Sequence, residues 1–260
     1  PYTTLFRSCP EFEGDIEPSD VKIAAELVEA AAAALKSAKA NPNITPQQLA
    51  ALTTAQVASL GQAYGATLST ADVAAMSTAQ LQLLSTGAIS GLDSGDIAAL
   101  GTAQLSGLDT DHLNALTSAQ FATLSATQAA ALTTEQVSSI STAAMAGLTA
   151  SQLSVLSTAN VAAFTDQQMG AFSNTQIAAF KPTQIGAMTS SQINSLSTSQ
   201  MGALSVTQVA SLNVSRIKDI DSTRLGALTS KQIQALTTDQ IVNLIADQLG
   251  GMSTSQVASL

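Results

Sequence analysis

The chain has 260 residues, of which 45% are hydrophobic, 10% charged and 3% aromatic, and its net charge is −9. The hydrophobic content is too high for a typical disordered segment, which combines few apolar residues with a high net charge. The acidic balance argues against a nucleic-acid partner, because binding to phosphates needs a basic surface. No uninterrupted run of about 18 apolar residues occurs, which argues against a membrane-spanning helix. A single cysteine, Cys9, excludes an internal disulfide framework.

Two segments precede the main part of the chain. Residues 1–18 are polar and acidic and predict a disordered leader, of which residues 1–8 (PYTTLFRS) resemble a translated sequencing adapter. Residues 19–41 predict one helix, because Ser19 or Asp20 can cap its start, apolar residues recur at i+4 spacing, and Pro42 follows its end. We expect this helix to cover the first edge of the core that follows.

From residue 45 to residue 260 the chain divides into 27 octapeptide units (octads) without an insertion or deletion, for example Ser197–Leu204 (STSQMGAL). Position 8 is Leu, Met, Phe or Ile in all 27 octads, and position 4 is Gln in 18. Position 1 is Ser, Thr, Asp or Asn in 23 octads, and position 7 is Ala, Gly, Ser or Thr in 23. We expect the array to continue beyond Leu260, because an array that stopped at an octad boundary would expose an apolar edge.

The octad pattern predicts one short capped helix per unit. A Ser or Thr at position 1 with Gln at position 4 is a capping box, in which the hydroxyl accepts from the position-4 N–H and the Gln side chain reaches back. Pro46 and Pro182 both fall at position 2, the first helical position, where proline is tolerated. Positions 5 and 8 share one helix face. We therefore predict an all-α superhelical solenoid with positions 5 and 8 inside and a small residue at position 7 where neighbouring turns approach.

Two other architectures fit the pattern less well. In one continuous helix, eight residues would rotate the apolar stripe by about 80° per octad, so no face would stay apolar. A β-solenoid needs apolar residues at a spacing of two, whereas here the spacings alternate between three and five. Ala and Gln also favour strands poorly. The β-solenoid is the remaining alternative.

No residue stands out as catalytic, cofactor-binding or metal-binding. His112, the single histidine, replaces the Gln at position 4, which indicates a structural or neutral role. Four carboxylates in nearby octads could gather a calcium ion, but two of them are position-1 caps, and EF-hand and glycine-rich calcium patterns are missing. These are Asp93, Asp96, Asp109 and Asp111.

Two further groups have structural interpretations. The one cationic cluster is interleaved with Asp219 and Asp221 and indicates a solvated, locally paired face. Its members are Arg216, Lys218, Arg224 and Lys231. Phe164, Phe172 and Phe180 all occupy position 8, which assigns them to the core.

Two resemblances follow from these motifs. Residues 132–140 (LTTEQVSSI) resemble the first helix of transcription-activator-like effector repeats, but no second helix or base-reading pair follows, so the resemblance does not imply DNA recognition. The array as a whole resembles the octapeptide tracts (LTxxQVxAL-like) of long uncharacterised bacterial secreted or surface proteins. That resemblance implies a repeat architecture and an extracellular or cell-surface location.

Together these observations predict a monomeric, non-catalytic repeat scaffold without a cofactor: a structural spacer or adhesive segment of a bacterial surface or secreted protein. Its partner would be a protein or a glycan. The alternative is an intracellular protein-binding solenoid, which needs unusual exposed residues. Its candidates are the position-4 departures Tyr64, His112, Asn160, Arg216 and Arg224. An enzyme would need a second domain.

Overall fold

The computed structural model describes residues 65, 66 and 68–260. Within this part, each of the 24 octads from Ser69 to Leu260 forms one helix of four to six residues, and no strand occurs. The all-α solenoid of short helices is confirmed for these octads, and the β-solenoid alternative is wrong for them. The proposed leader (1–18), the N-terminal capping helix (19–41) and the octads from residue 45 to residue 60 lie outside the described residues.

The helices are numbered in chain order. They are α1 (Thr70–Ala75), α2 (Thr78–Leu83), α3 (Thr86–Gly91), α4 (Ser94–Ala99), α5 (Thr102–Ser106), α6 (Thr110–Asn114), α7 (Ser118–Thr123), α8 (Ala126–Ala130), α9 (Thr134–Ser139), α10 (Thr142–Met145), α11 (Ala150–Val155), α12 (Thr158–Ala163), α13 (Asp166–Ala171), α14 (Asn174–Ala179), α15 (Pro182–Ala187), α16 (Ser190–Ser195), α17 (Thr198–Ala203), α18 (Val206–Ala210), α19 (Val214–Ile217), α20 (Ser222–Gly226), α21 (Ser230–Ile233), α22 (Thr238–Val242), α23 (Ala246–Gly250) and α24 (Thr254–Val257).

Every described helix begins at octad position 2, as the capping box predicts. In α17 the backbone N–H of Gln200 donates to Ser197 Oγ at 3.2 Å, and the N–H of Ser197 donates to Gln200 Oε1 at 2.6 Å. Each bond satisfies an amide that the first helical turn leaves without a partner. Pro182 is the first residue of α15, so the placement of proline is also confirmed.

The links between helices are formed by extended backbone. In α17, for example, the chain leaves the helix at Leu204 (φ −61°, ψ 139°) and enters the next cap at Ser205 (φ −70°, ψ 160°). No described residue has a positive φ. Because these conformations are open to any residue, an octad can end without the left-handed glycine that closes many helices.

The octads coil into a superhelix whose turn takes between three and four octads. Helices three apart in the chain generally pack against each other, as α12 packs against α9 and α15. The Gln at position 4 bonds to the fourth octad before its own, as Gln168 does to Val137 and Ile140. Turns therefore stack directly, and each octad contacts neighbours on both sides.

Positions 5 and 8 fill the interior, as predicted. Phe164, Phe172 and Phe180 are buried and meet edge to face, with ring centroids 5.1 Å and 5.5 Å apart for successive pairs. The burial of a position-5 side chain depends on the next turn of the superhelix, which covers it. Leu249 and Val257 occupy position 5 in the last two octads and are 40% and 46% exposed, and Ile241 in the octad before them is half-buried, whereas position 5 is buried in the other octads from Ser69 onward.

Gly147 marks one of the closest approaches between turns. It occupies position 7, and a Cβ added there would lie 1.8 Å from the carbonyl oxygen of Ser118. This confirms the predicted role of a small residue at position 7 for this pair of turns.

Replacing Gly147 with Ala is expected to destabilise the array, because backbone must move by more than an ångström to admit the methyl group. We expect a loss of about 1–3 kcal/mol in thermal or urea unfolding. Gly202→Ala is the control, since its Cβ would meet only the Ala227 carbonyl oxygen at 3.7 Å. Inside a helix, that change should be neutral or stabilising. Equal losses in the two variants would contradict the close approach.

Two proline substitutions test the register. Thr198 is the first residue of α17, and Ser197 before it has ψ 162°, which suits a residue that precedes proline. Thr198→Pro should therefore keep the melting temperature nearly unchanged. Gly202→Pro would remove an intrahelical N–H inside the same helix, at a cost of about 3 kcal/mol. Similar losses from both prolines would mean that the octad register is wrong.

Candidate functional site

The most distinctive chemical feature of the molecule is the side chain at octad position 4, which lies between successive turns. Gln168 is 3% exposed. Its Oε1 accepts from the N–H of Thr165 at 2.7 Å, completing the capping box. Its Nε2 donates to the carbonyl oxygens of Val137 and Ile140 in the previous turn, at 2.9 Å and 2.7 Å. One amide thus closes its own helix and ties it to the turn before.

This arrangement repeats along the coil as a ladder of position-4 side chains. The carbonyl 28 residues earlier is described for 21 octads, and in 19 of them the position-4 side chain donates to it. The two exceptions are Asp96 and Ala144. The ladder satisfies carbonyls at helix ends, where the helix offers them no partner.

Four of the residues that replace Gln keep a nitrogen donor in the same place. His112 Nε2 bonds to the Leu84 carbonyl at 2.7 Å, and Asn160 Nδ2 to that of Leu132 at 2.7 Å. Arg224 Nε donates to the Leu196 carbonyl at 3.0 Å, and Arg216 Nη1 donates to the carbonyls of Ala187 and Met188. These four candidates for the intracellular protein-binding alternative are directed between the turns, where His112 and Asn160 are buried and Arg216 and Arg224 are half-buried. Tyr64 lies outside the described residues.

His112 and Asp109 form a pair at the start of α6. The Leu84 carbonyl can only accept, so His112 Nε2 carries a hydrogen. On the other side of the ring, Nδ1 lies 2.6 Å from Asp109 Oδ1, and Asp109 Oδ1 also accepts from the His112 backbone N–H at 2.9 Å. The backbone N–H of His112, followed by its ring, lowers the pKa of Asp109. His112 therefore joins the cap of its own helix to the turn before, which are contacts of a structural residue.

The lowered pKa of Asp109 predicts a loss of stability in acid. Because the folded-state pKa lies below the unfolded one, the contribution of Asp109 is present above about pH 3.9 and is lost as the pH falls through the folded pKa. In Asp109→Asn, which keeps a capping oxygen, this part of the acid-induced fall in melting temperature should disappear. Asp111→Asn, at an exposed neighbouring position, is the control. If the two variants have the same acid profile, Asp109 does not carry the effect.

Asparagine side chains compensate where position 4 cannot accept from the cap. Ala144 has no side-chain oxygen, and the N–H of Ser141 donates instead to Asn114 Oδ1 from the previous turn, at 2.9 Å. In the octad of Arg224, the N–H of Asp221 donates to Asn194 Oδ1 at 2.9 Å. The sequence did not predict this role for the two asparagines at position 6. Each accepts a hydrogen bond from the N-cap residue of an octad that begins 27 residues later in the chain.

The four carboxylates considered for calcium do not form one site. Asp93 and Asp96 belong to one capping box, with the N–H of Asp96 donating to Asp93 Oδ1 at 2.9 Å, whereas Asp109 pairs with His112. Among the described residues, no group of three or more His, Cys, Asp or Glu side chains could hold a metal ion.

The cationic cluster differs in part from the solvated face that was expected. Arg224 pairs with Asp221, its Nη1 lying 3.2 Å from Asp221 Oδ2, which confirms local pairing. However, Arg216 and Arg224 are only half-exposed, because each guanidinium reaches carbonyls of the previous turn. Lys218 and Lys231 are exposed.

In the described part of the chain, every helix is too short to cross a bilayer.

Comparison with known proteins agrees with a repeat architecture. A family model described as the ALTTAQ repeat matches residues 89–126 and 177–214, so the chain is similar to that family over these two segments. Neither segment includes residues 132–140, where the resemblance to transcription-activator-like effector repeats was noted. A search of curated proteins finds no match.

Proposed function

We propose that the chain is a structural spacer or adhesive segment of a bacterial surface or secreted protein and has no catalytic role. The observation that carries this proposal is the ladder at position 4, which links successive turns by the same kind of bond in 19 of the 21 octads whose acceptor carbonyl is described. A coil built from such repeated joints sets its length by the number of its octads. Such a scaffold can place another domain at a fixed distance.

The outer surface supports the same proposal. In the octad Ser197–Leu204, positions 1, 2, 3 and 6 are exposed, whereas positions 4, 5 and 8 are buried. The exposed positions carry mostly Ser, Thr and Ala throughout the array, and charges there are sparse. A uniform surface of small polar residues suits a spacer. Its Ser and Thr hydroxyl groups can donate and accept hydrogen bonds, as contact with a glycan would require. The intracellular protein-binding alternative relied on the position-4 departures, and the four that are described lie between turns.

A change in octad number tests the spacer role. Deleting residues 125–180 removes seven octads, about two turns, and joins Leu124 to Lys181 without changing the register. We expect the maximum dimension in small-angle X-ray scattering to shorten in proportion, with the same helical signal per residue. A deletion within one octad, residues 125–128, is the control and should disrupt the fold. A seven-octad deletion that leaves the maximum dimension unchanged would contradict the spacer.

The location is tested separately. Antibodies against the array should label intact cells of the native host or detect the protein in the culture medium, and external protease should remove the signal from the cells. Labelling that requires permeabilised cells would contradict a surface or secreted location.

A further inference from the structure

The joints of the ladder follow one rule, which is that the position-4 side chain donates a hydrogen bond to a backbone carbonyl of the previous turn. Gln, His, Asn and Arg all satisfy this rule with a nitrogen donor. The bonds that have normal geometry lie between 2.6 Å and 3.0 Å, and their acceptor is the carbonyl 28 residues earlier. An ionised carboxylate cannot follow this rule, because it only accepts hydrogen bonds.

Asp96 occupies position 4 of its octad and is 1% exposed. Its Oδ2 accepts from the N–H of Asp93 at 3.1 Å, which is the contact that Gln Oε1 makes in other octads. Its Oδ1 therefore takes the place of the Gln nitrogen. By the 28-residue spacing of the other joints, we expect the carbonyl opposite this atom to be that of Leu68.

Asp96 Oδ1 has no hydrogen-bond partner, and it is the one buried side-chain nitrogen or oxygen in this condition among the described residues. A buried polar atom without a partner costs about 1–3 kcal/mol, and more if it is charged. A carboxylate oxygen and a backbone carbonyl at the same joint also repel each other, since both carry partial or full negative charge. A hydrogen on Oδ1 removes both problems.

We propose that Asp96 carries a proton on Oδ1 in the folded array and donates it to the Leu68 carbonyl, so that this inter-turn link closes in acid and opens as the pH rises. The described coil then contains, beside its amide joints, a joint that closes only when a carboxyl is protonated. This inference concerns the joint itself and does not depend on the proposed spacer role.

The surroundings of Asp96 favour the neutral carboxyl. Its helix, α4, packs against α1 and α7. Asp72 on α1 and Asp93 at the cap of α4 are the charged groups on these elements, and both are negative; α7 has none. Burial raises the pKa of Asp96, and the negative charge of Asp93 raises it further. The N–H of Asp93 and the Thr70 hydroxyl lower this pKa, but the net shift is upward. No described cation lies on these elements to stabilise the carboxylate.

The sign of the pH effect follows from this direction. A carboxyl whose pKa is higher in the folded state stabilises the fold below its unfolded pKa, and that stabilisation is lost as the pH rises through the folded pKa. Asp96→Asn supplies a permanent N–H donor, as Asn160 does at the same position. The variant should therefore be the more stable protein at neutral pH, and the difference should vanish in acid.

The experiment compares amide hydrogen exchange in α1 and α4 for the wild-type protein and Asp96→Asn at matched pH values from about 3.5 to about 7.5. The ratio of exchange rates should grow by about tenfold for each pH unit by which the folded pKa exceeds the unfolded one. Carboxyl carbon chemical shifts would report the protonation of Asp96 directly. Asp111→Asn, at an exposed position, should leave the ratio at one throughout.

Two results would overturn the proposal. The first is a ratio that does not change with pH, together with a carboxyl signal of Asp96 that titrates no higher than that of an unfolded aspartate. The second is protection of α1 and α4 in the wild-type protein, but not in Asp96→Asn, on addition of calcium or sodium chloride at constant ionic strength. That result would place a cation between Asp96 and Leu68 in the position assigned to the proton.

Discussion

Replacing Leu204 with Asp is expected to unfold part of the coil. Leu204 occupies position 8 after α17 and is 4% exposed. The substitution removes a buried leucine side chain and places a carboxylate in an apolar interior with no cation to pair with. We expect a loss of more than about 4 kcal/mol, because each of these changes alone costs several kcal/mol.

The loss should be local at first. A solenoid is stabilised mainly by contacts between neighbouring repeats, so damage spreads from the altered unit. Helix α17 packs against α14 and α20, and amide exchange should accelerate in these three helices before it does in α1 or α4. Hydrogen exchange followed by mass spectrometry at peptide resolution would measure this order.

Val206→Asp is the matched control for Leu204→Asp. Val206 lies two residues further on, is 45% exposed, and is the first residue of α18. Aspartate in the first turn of a helix is favourable, so the change should alter stability by no more than about 0.5 kcal/mol. Comparable losses from both substitutions would contradict the assignment of positions 8 and 2 to the inside and outside of the coil.

The local structure of the octad could be predicted because its determinants lie within eight residues. Ser197 and Gln200 are three residues apart, and the bonds of the capping box depend on no other part of the chain. The position of Pro182 at the first helical residue follows from the same register. Positions 5 and 8 could be assigned to the interior because the helix geometry alone places them on one face.

The function of position 4 between turns could not be predicted from the octad. A capping box accounts for the Gln oxygen but leaves its two N–H groups without a known partner. The acceptor carbonyl lies 28 residues away, a distance that depends on how many octads complete a turn. The octad pattern contains no information about that number, so Asn160 and Arg224 appeared to be surface residues. One sequence feature did indicate this function: His, Asn, Arg and Gln at position 4 all carry a side-chain N–H group that can donate a hydrogen bond.

Removing one side-chain amide from the ladder should lower the free energy of unfolding by more than is usual for the loss of a polar side chain. Gln168→Ala leaves the carbonyl of Ile140 and the N–H of Thr165 without their partners, and the carbonyl of Val137 keeps only the long bond from the Ile140 N–H, at 3.4 Å. Each unsatisfied buried group costs about 1–3 kcal/mol, so we expect a loss of about 3 kcal/mol or more in chemical unfolding. Gln167→Ala changes the adjacent, exposed glutamine of the same helix and should be nearly neutral.

Gln168→Glu separates hydrogen bonding from packing. Glutamate keeps the size of the side chain and the oxygen that accepts from Thr165, but its second oxygen would face two carbonyls where an N–H now donates. At neutral pH the loss should therefore exceed that of Gln168→Ala, because a buried charge without a partner costs more than a missing neutral group. Below the pKa of the new carboxyl, a proton restores one donor and stability should return in part. If Gln168→Glu is as stable as the wild type at neutral pH, amide donation between turns does not hold the coil together, and packing at positions 5 and 8 is sufficient.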